Sequence, residues 1–249
     1  MKTIKGTLIK LTLVIFIVVA ALTALMLYER NKERGEFAEI IISQGRWATP
    51  DSVNELRAAI ARYDRRIERH VNDAAKNATY WKLLAIRLQD RGLHGEALEA
   101  LERAIYYSPE DPILHYTAGL SAGIMAKSFH IYPGRDNTER NQYNNLAESS
   151  FLRSIELDER YLRPRYGLGV LYVFDLDRPE DAIPHLEFYL NISRNDVDTL
   201  FVLARAYYML RRFQEAVEIY DRIIVLTGDQ GKRIDAQNNR QVVLGYMYG

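Results

Sequence analysis

Cysteine is absent from the 249 residues, which rules out a lipid-modified cysteine as a membrane anchor and suits an oxidising compartment without requiring one. Proline and glycine are sparse, with 7 and 14 copies, while Ala, Leu, Glu and Arg fill long stretches. That composition favours helix over strand almost everywhere and predicts an all-α chain. Net charge is also missing, at +0, and no run of Lys and Arg interleaved with aromatics occurs, so the footprint of a nucleic-acid binder is lacking. What is present is apolar content: 48% of the residues, enough for a buried core and too much for a disordered chain.

The first 34 residues differ from the rest. Lys2, Lys5 and Lys10 precede LTLVIFIVVAALTALMLY, Leu11 to Tyr28, eighteen residues without a charge. At 1.5 Å rise per residue such a helix is roughly 27 Å long, close to the thickness of a hydrocarbon core. Ala20, Ala21, Thr23 and Ala24 do not fall at the spacing of a signal-peptide cleavage site, so the expectation is an uncleaved transmembrane helix within an anchor and flank of residues 1–34. Arg30, Lys32 and Arg34 balance the three N-terminal lysines, which leaves orientation open; the N-in arrangement puts the bulk of the chain in the periplasm or otherwise outside the cytoplasm. The first 34 residues hold six of the 33 Lys and Arg and two of the 33 Asp and Glu, so residues 35–249 are mildly acidic.

Behind that segment the chain repeats. Within residues 78–111, counting Ala78 as position 1, Trp81, Leu84, Ala85 and Leu88 stand at positions 4, 7, 8 and 11, Gly92 at 15, Ala97, Leu101 and Ala104 at 20, 24 and 27, and Pro109 at 32. Large residues at 4, 7 and 11 form one stripe of a first helix, and small residues at 8 and 20 let two helices approach closely. Position 24 fills the gap between them, and the proline stops the second helix. This pattern resembles the 34-residue tetratricopeptide repeat (TPR). The resemblance covers about 78–228 and implies an α-solenoid of about four helical hairpins, because one hairpin cannot cover its own apolar face. The copies are 78–111, 112–161, 162–196 and 197–228. The fourth is clean, with Leu200, Leu203, Ala204, Tyr207, Ala216, Tyr220 and Ile223 in place. The third has Leu168, Gly169 and Tyr172, then Ala182 and Leu186 after one extra residue assigned to the turn. In the second, Ala118 and Gly119 are followed by Ala147 sixteen residues late, which defines an insertion over 127–141 read as a loop and as a second candidate contact with a partner.

Two flanking segments complete the expected fold. Val53, Leu56, Ile60, Tyr63, Ile67 and Val71 recur every three or four residues behind a Ser52-x-x-Glu55 capping box, predicting an amphipathic helix of about 51–75. With a shorter helix near Glu36–Ser43 it would make residues 35–77 an N-terminal cap or degenerate repeat. Ile234, Val242, Val243, Tyr246 and Met247 mark 229–249 as a C-terminal capping helix.

Gly-Leu-Ser-Ala-Gly at 119–123 fits the G-x-S-x-G elbow of α/β-hydrolases, and a serine-hydrolase reading rests on it alone. Gly119 is already claimed as position 8 of a repeat, however, with helix on both sides, and Ser121 is expected to bond back to a carbonyl one turn earlier. GLGVLY, 167–172, lacks a third glycine and a strand for a dinucleotide site, and His70, His94, His115, His130 and His185 show no ligand spacing. The expectation is no enzyme, no cofactor, no metal and no nucleic acid.

What the resemblance implies is binding to protein partners through a concave groove lined by positions 2, 5, 9, 12 and 13 of each first helix. Here these include Lys82 and Gln89, Tyr116, then Arg163, Tyr166 and Phe174, and finally Phe201, Arg205, Tyr208 and Met209, a set rich in the aromatics and arginine of binding hot spots. The function expected is a membrane-anchored TPR scaffold in the assembly or maintenance of a cell-envelope complex, such as a periplasmic motor or secretion component. The alternative is an accessory of a solute transporter that docks a binding protein or ligand.

Overall fold

A computed structural model describes residue 23, residues 52–130 and residues 137–248. The expected transmembrane segment, apart from Thr23, and the short helix near Glu36–Ser43 lie outside the described residues. Nine α-helices and no strand occur among the described residues: α1 (Val53–Asp90), α2 (His94–Tyr107), α3 (Pro112–His130), α4 (Thr138–Leu157), α5 (Arg163–Val170), α6 (Pro179–Ile192), α7 (Val197–Met209), α8 (Phe213–Leu226) and α9 (Gln230–Tyr248). No described helix is long and apolar enough to cross a membrane. Residues 69–249 form one compact unit and residues 1–68 another.

The larger unit is a run of antiparallel helix pairs in which each pair packs on the next. Small residues do what their positions predict. Ala85, Ala204 and Ala216 have no exposed surface, and Ala97, Ala104, Ala147 and Ala182 are sealed as well. Phe151, at position 24 of the second repeat, is 3% exposed and lies across Gly119 and Gly167; a methyl on either glycine would come within 2.6 or 2.8 Å of its ring. Those glycines are where α3, α4 and α5 meet. Leu84 departs from the pattern. At position 7 it should be core, yet it is 45% exposed.

Three expectations need correction. The N-terminal helix does not end near residue 75; α1 runs unbroken for 38 residues into the first repeat, since nothing between Ala74 and Trp81 is a helix breaker. The capping box itself forms, with the Glu55 amide donating to Ser52 Oγ at 3.2 Å. The 127–141 insertion is not chiefly a loop: α3 continues to His130 and α4 begins at Thr138, so the extra residues lengthen both helices, with Phe129 stacked on Tyr143 at 5.6 Å. The extra residue of the third repeat lies not in the turn but in the helix, as a π-helical turn over Leu171–Asp175. The turn residue itself is unchanged in kind: Gly92, Asp177 and Arg211 all adopt positive φ, at 74°, 53° and 58°. The lengthened α3 and α4 meet the π turn, where Lys127 Nζ lies 3.5 Å from Asp175 Oδ2 and Arg140 Nη2 donates to the Asp175 carbonyl at 3.3 Å. Helix α9 seals Ala236 and Val243 but leaves Ile234, Val242 and Tyr246 exposed, so its inner face is narrower than the apolar count implies.

One polar device recurs between hairpins. The Tyr172 hydroxyl donates to Glu148 at 2.9 Å and the Tyr207 hydroxyl to Glu187 at 2.8 Å, each tying a position-11 tyrosine to the previous hairpin. Arg178 and Arg212 lie over the two rings at 4.7 and 4.4 Å and pair with Asp181 and Glu215. Burial and then the carboxylate partner push Tyr207 up to about 12 and raise Tyr172 as well. A tyrosine raised in the folded state holds its proton when the unfolded one has lost it. Stability is therefore full below about pH 10, the unfolded value, and falls as the pH climbs through the folded value. Helix content followed by circular dichroism should collapse together with phenolate absorbance near pH 11–12 (about one to two units above the free phenol). Phenolate signal near pH 10 that disappears on Tyr172→Phe or Tyr207→Phe would refute the device.

Candidate functional site

Half-buried aromatic side chains and exposed arginines collect on the first helices of successive hairpins. Tyr116 of α3 packs edge-on against Tyr161 at 5.3 Å and lies 6.1 Å from Phe151. Arg163 is exposed at the start of α5, and its charge bears on Tyr161, Tyr116 and Tyr189. Tyr166 stands 6.3 Å from Tyr189, and burial, followed by the nearby Asp198 and Asp196, raises its phenol. Asp198 in turn pairs with Lys232 of α9 at 2.6 Å. Further along, Phe201 meets Tyr220 at 6.2 Å, and Tyr208 meets Phe213 at 6.0 Å and Tyr246 at 5.7 Å. Arg205 is exposed and its guanidinium lies 5.1 Å from the centre of the Tyr208 ring.

The structure thus gathers Tyr116 with Arg163 at one patch, places Tyr166 beside the start of α7, and gathers Phe201, Arg205 and Tyr208 at a second. Met209 is half-buried at the end of α7 and packs against the core. Phe174 is 55% exposed on the π turn, away from the described ring contacts. Lys82 and Gln89 have internal partners. Lys82 pairs with Asp111 at 2.8 Å beside a cleft of about 310 Å³ lined by Thr79, Leu83 and Ile86. Gln89 Nε2 donates to the Thr117 carbonyl at 3.1 Å and to Ser121 Oγ at 2.7 Å. Tyr220, at position 24, is core as expected, whereas Tyr161, Tyr189, Phe213 and Tyr246 were not foreseen as part of the surface. They stand on second helices or connections, and only Asp198, at position 2 of the fourth repeat, carried a positional signal.

Ser121 is fully buried and accepts the Gln89 bond from the neighbouring hairpin, with His94 Nδ1 at 3.5 Å, so the expected bond back along its own helix is replaced as its described contact. A serine with no exposed surface cannot meet a substrate. Replacing Ser121 by alanine should cost about 1 kcal/mol of stability, the worth of one buried hydrogen bond. A serine-reactive probe should leave Ser121 of the folded wild-type protein unlabelled, and labelling there would restore the hydrolase reading. Among the described residues no group of three or more His, Asp and Glu is placed to hold a metal.

Paired helices that bury small residues between them and carry half-buried aromatics and exposed arginines along their first helices define a class: a helical-repeat interaction module. The family described as Tetratricopeptide repeat matches residues 173–236. A TPR repeat-containing protein of Borreliella burgdorferi is 24% identical over 184 residues, spanning 74% of this chain and 77% of that one. Anaphase-promoting complex subunit 3 of Schizosaccharomyces pombe is 24% identical over 142 residues, which is 57% of this chain but 19% of that protein. Among solved structures, YrrB, a TPR protein with an unusual peptide-binding site, superposes with a TM-score of 0.56 at 17% identity, over 72% of this chain and 82% of that one. MamA of Desulfovibrio magneticus RS-1 gives 0.54 at 16% identity, over 68% and 94%. At these identities the structural likeness speaks for the fold.

Proposed function

We propose that this TPR-type protein-interaction scaffold is held at a membrane by residues 11–28 and captures a protein partner of a cell-envelope assembly on the surface that runs from Tyr116 and Arg163 to Arg205 and Tyr208. The observation that carries the binding half is the exposure of Arg163 and Arg205, each set against tyrosine, on adjacent repeats. Guanidinium beside aromatic is the composition from which interface hot spots are built. The observation that carries the membrane half is the uncharged run from Leu11 to Tyr28 behind three lysines. With the N-terminus inside, the repeats stand on the far side of the membrane, where a chain without cysteine is at ease.

The full chain should stay with membranes through high-salt and alkaline washing, whereas a chain beginning at Gly35 should be released in soluble, helical form. Release of the full chain by alkali, or recovery of native protein starting near Leu25, would contradict the anchor.

A further inference from the structure

The N-terminal half of α1 carries an apolar row that neither core covers. Val53, Leu56, Ile60, Tyr63 and Ile67 are between 46% and 64% exposed and belong to neither hydrophobic cluster. Their spacing alternates three and four residues, the a and d positions of heptads, with β-branched Val53, Ile60 and Ile67 at a, and Leu56 and Tyr63 at d. Most helical stability in proteins comes from packing an apolar face, and this face has no packing partner among the described residues.

We infer that a second copy of this chain packs on this row as an antiparallel two-stranded coiled coil centred between Ala61 and Arg62. The row is its own complement: on a second copy the apolar a and d positions and the Arg57 and Asp64 that flank them all recur. From Val53 to Ile67 it is roughly 21 Å long. Charge fixes the direction. In the antiparallel register Ile60 faces the other copy's Tyr63 and Leu56 faces its Ile67, which sets Arg57 beside Asp64 twice, once on each side of the symmetry axis. A parallel pair sets Arg57 beside Ser52 and Asp64 beside Ala59, with no charge matched. Neither Arg57 nor Asp64 has an ion-pair partner among the described residues. The inference stands apart from the partner-binding surface of α3 to α9 and does not depend on it.

The natural absence of cysteine gives a clean test. Residues 57 and 64 of one helix are about 10.5 Å apart along its axis, beyond disulfide reach, so a bond between cysteines there must join two chains. The full-length chain carrying Arg57→Cys and Asp64→Cys, mildly oxidised in its own membranes, should run at twice its 28.9 kDa mass until reduced. The control pair Arg62→Cys and Arg69→Cys, on the outer face, should stay at single mass. In a second variant set, Arg57→Asp should lower the dimer fraction at least tenfold and the added Asp64→Arg should restore it. A single-mass band for the 57/64 pair overturns the proposal, whether the row is then covered by the chain's own N-terminal segment or by a different protein. Equal cross-linking of both pairs, or a charge reversal without effect, overturns it too.

Discussion

Replacing Phe151 by alanine should destabilise the repeat unit by about 3–5 kcal/mol, the range for removing a fully packed phenylalanine. For a unit of this size that is a fall of roughly 10 °C in melting temperature. The ring is 3% exposed and fills the space left by Gly119 and Gly167, so its loss opens a void shared by α3, α4 and α5 rather than a dent in one helix. Two neighbouring repeats then lose their common plug. The companion change Gly119→Ala puts a methyl 2.6 Å from the ring and should be costly in the wild-type chain. Combined with Phe151→Ala it should cost far less, because the clashing partner is gone, so the pair should couple by at least about 1 kcal/mol in a double-mutant cycle. A Phe151→Ala loss below about 1 kcal/mol, or additivity of the two changes, would mean that the repeats do not meet through this ring.

The double change Tyr166→Ala and Arg205→Ala should weaken partner capture by about a thousandfold, since hot-spot truncations commonly cost about 2 kcal/mol or more each and every 1.4 kcal/mol is tenfold. Stability should move much less. Arg205 is exposed and its described contact is the Tyr208 ring, while Tyr166 is half-buried against Tyr189. A loss under about 2 kcal/mol is expected, smaller than for Phe151→Ala. Unfolding of the double variant would assign both side chains to packing between hairpins; normal capture by a folded variant would move the contact to the lengthened α3–α4 hairpin.

Much of this architecture is legible in the sequence because side-chain size at fixed spacing is a packing instruction. Ala85, Ala97, Leu101 and Ala104 of the first repeat, and Leu200, Leu203, Ala204 and Ile223 of the fourth, fall in the core as their positions dictate. Spacing counts residues, though, and not hydrogen bonds. One extra residue between Tyr172 and Ala182 was visible, yet spacing does not say whether a turn lengthens or a helix takes a π turn; here the π turn meets Lys127 and Arg140, which are remote in sequence. The same holds for the insertion, whose turn-forming residues hid the helical character of its flanks, and for Ser121, whose partner Gln89 belongs to another hairpin. The surface was readable in part. Positions on first helices placed Tyr116, Arg163 and Arg205, whereas Tyr189 arrives from a second helix, where position within the repeat predicts core rather than edge.

The most direct test of the central account, a scaffold that holds protein on its first-helix surface, is photo-crosslinking of the full chain in intact cells. A photoreactive side chain at Arg163 or at Arg205 should yield discrete protein adducts, and one at Glu218, exposed on the second helix of the fourth repeat, should yield none. Adducts of equal strength at all three positions, or at Glu218 alone, would contradict it.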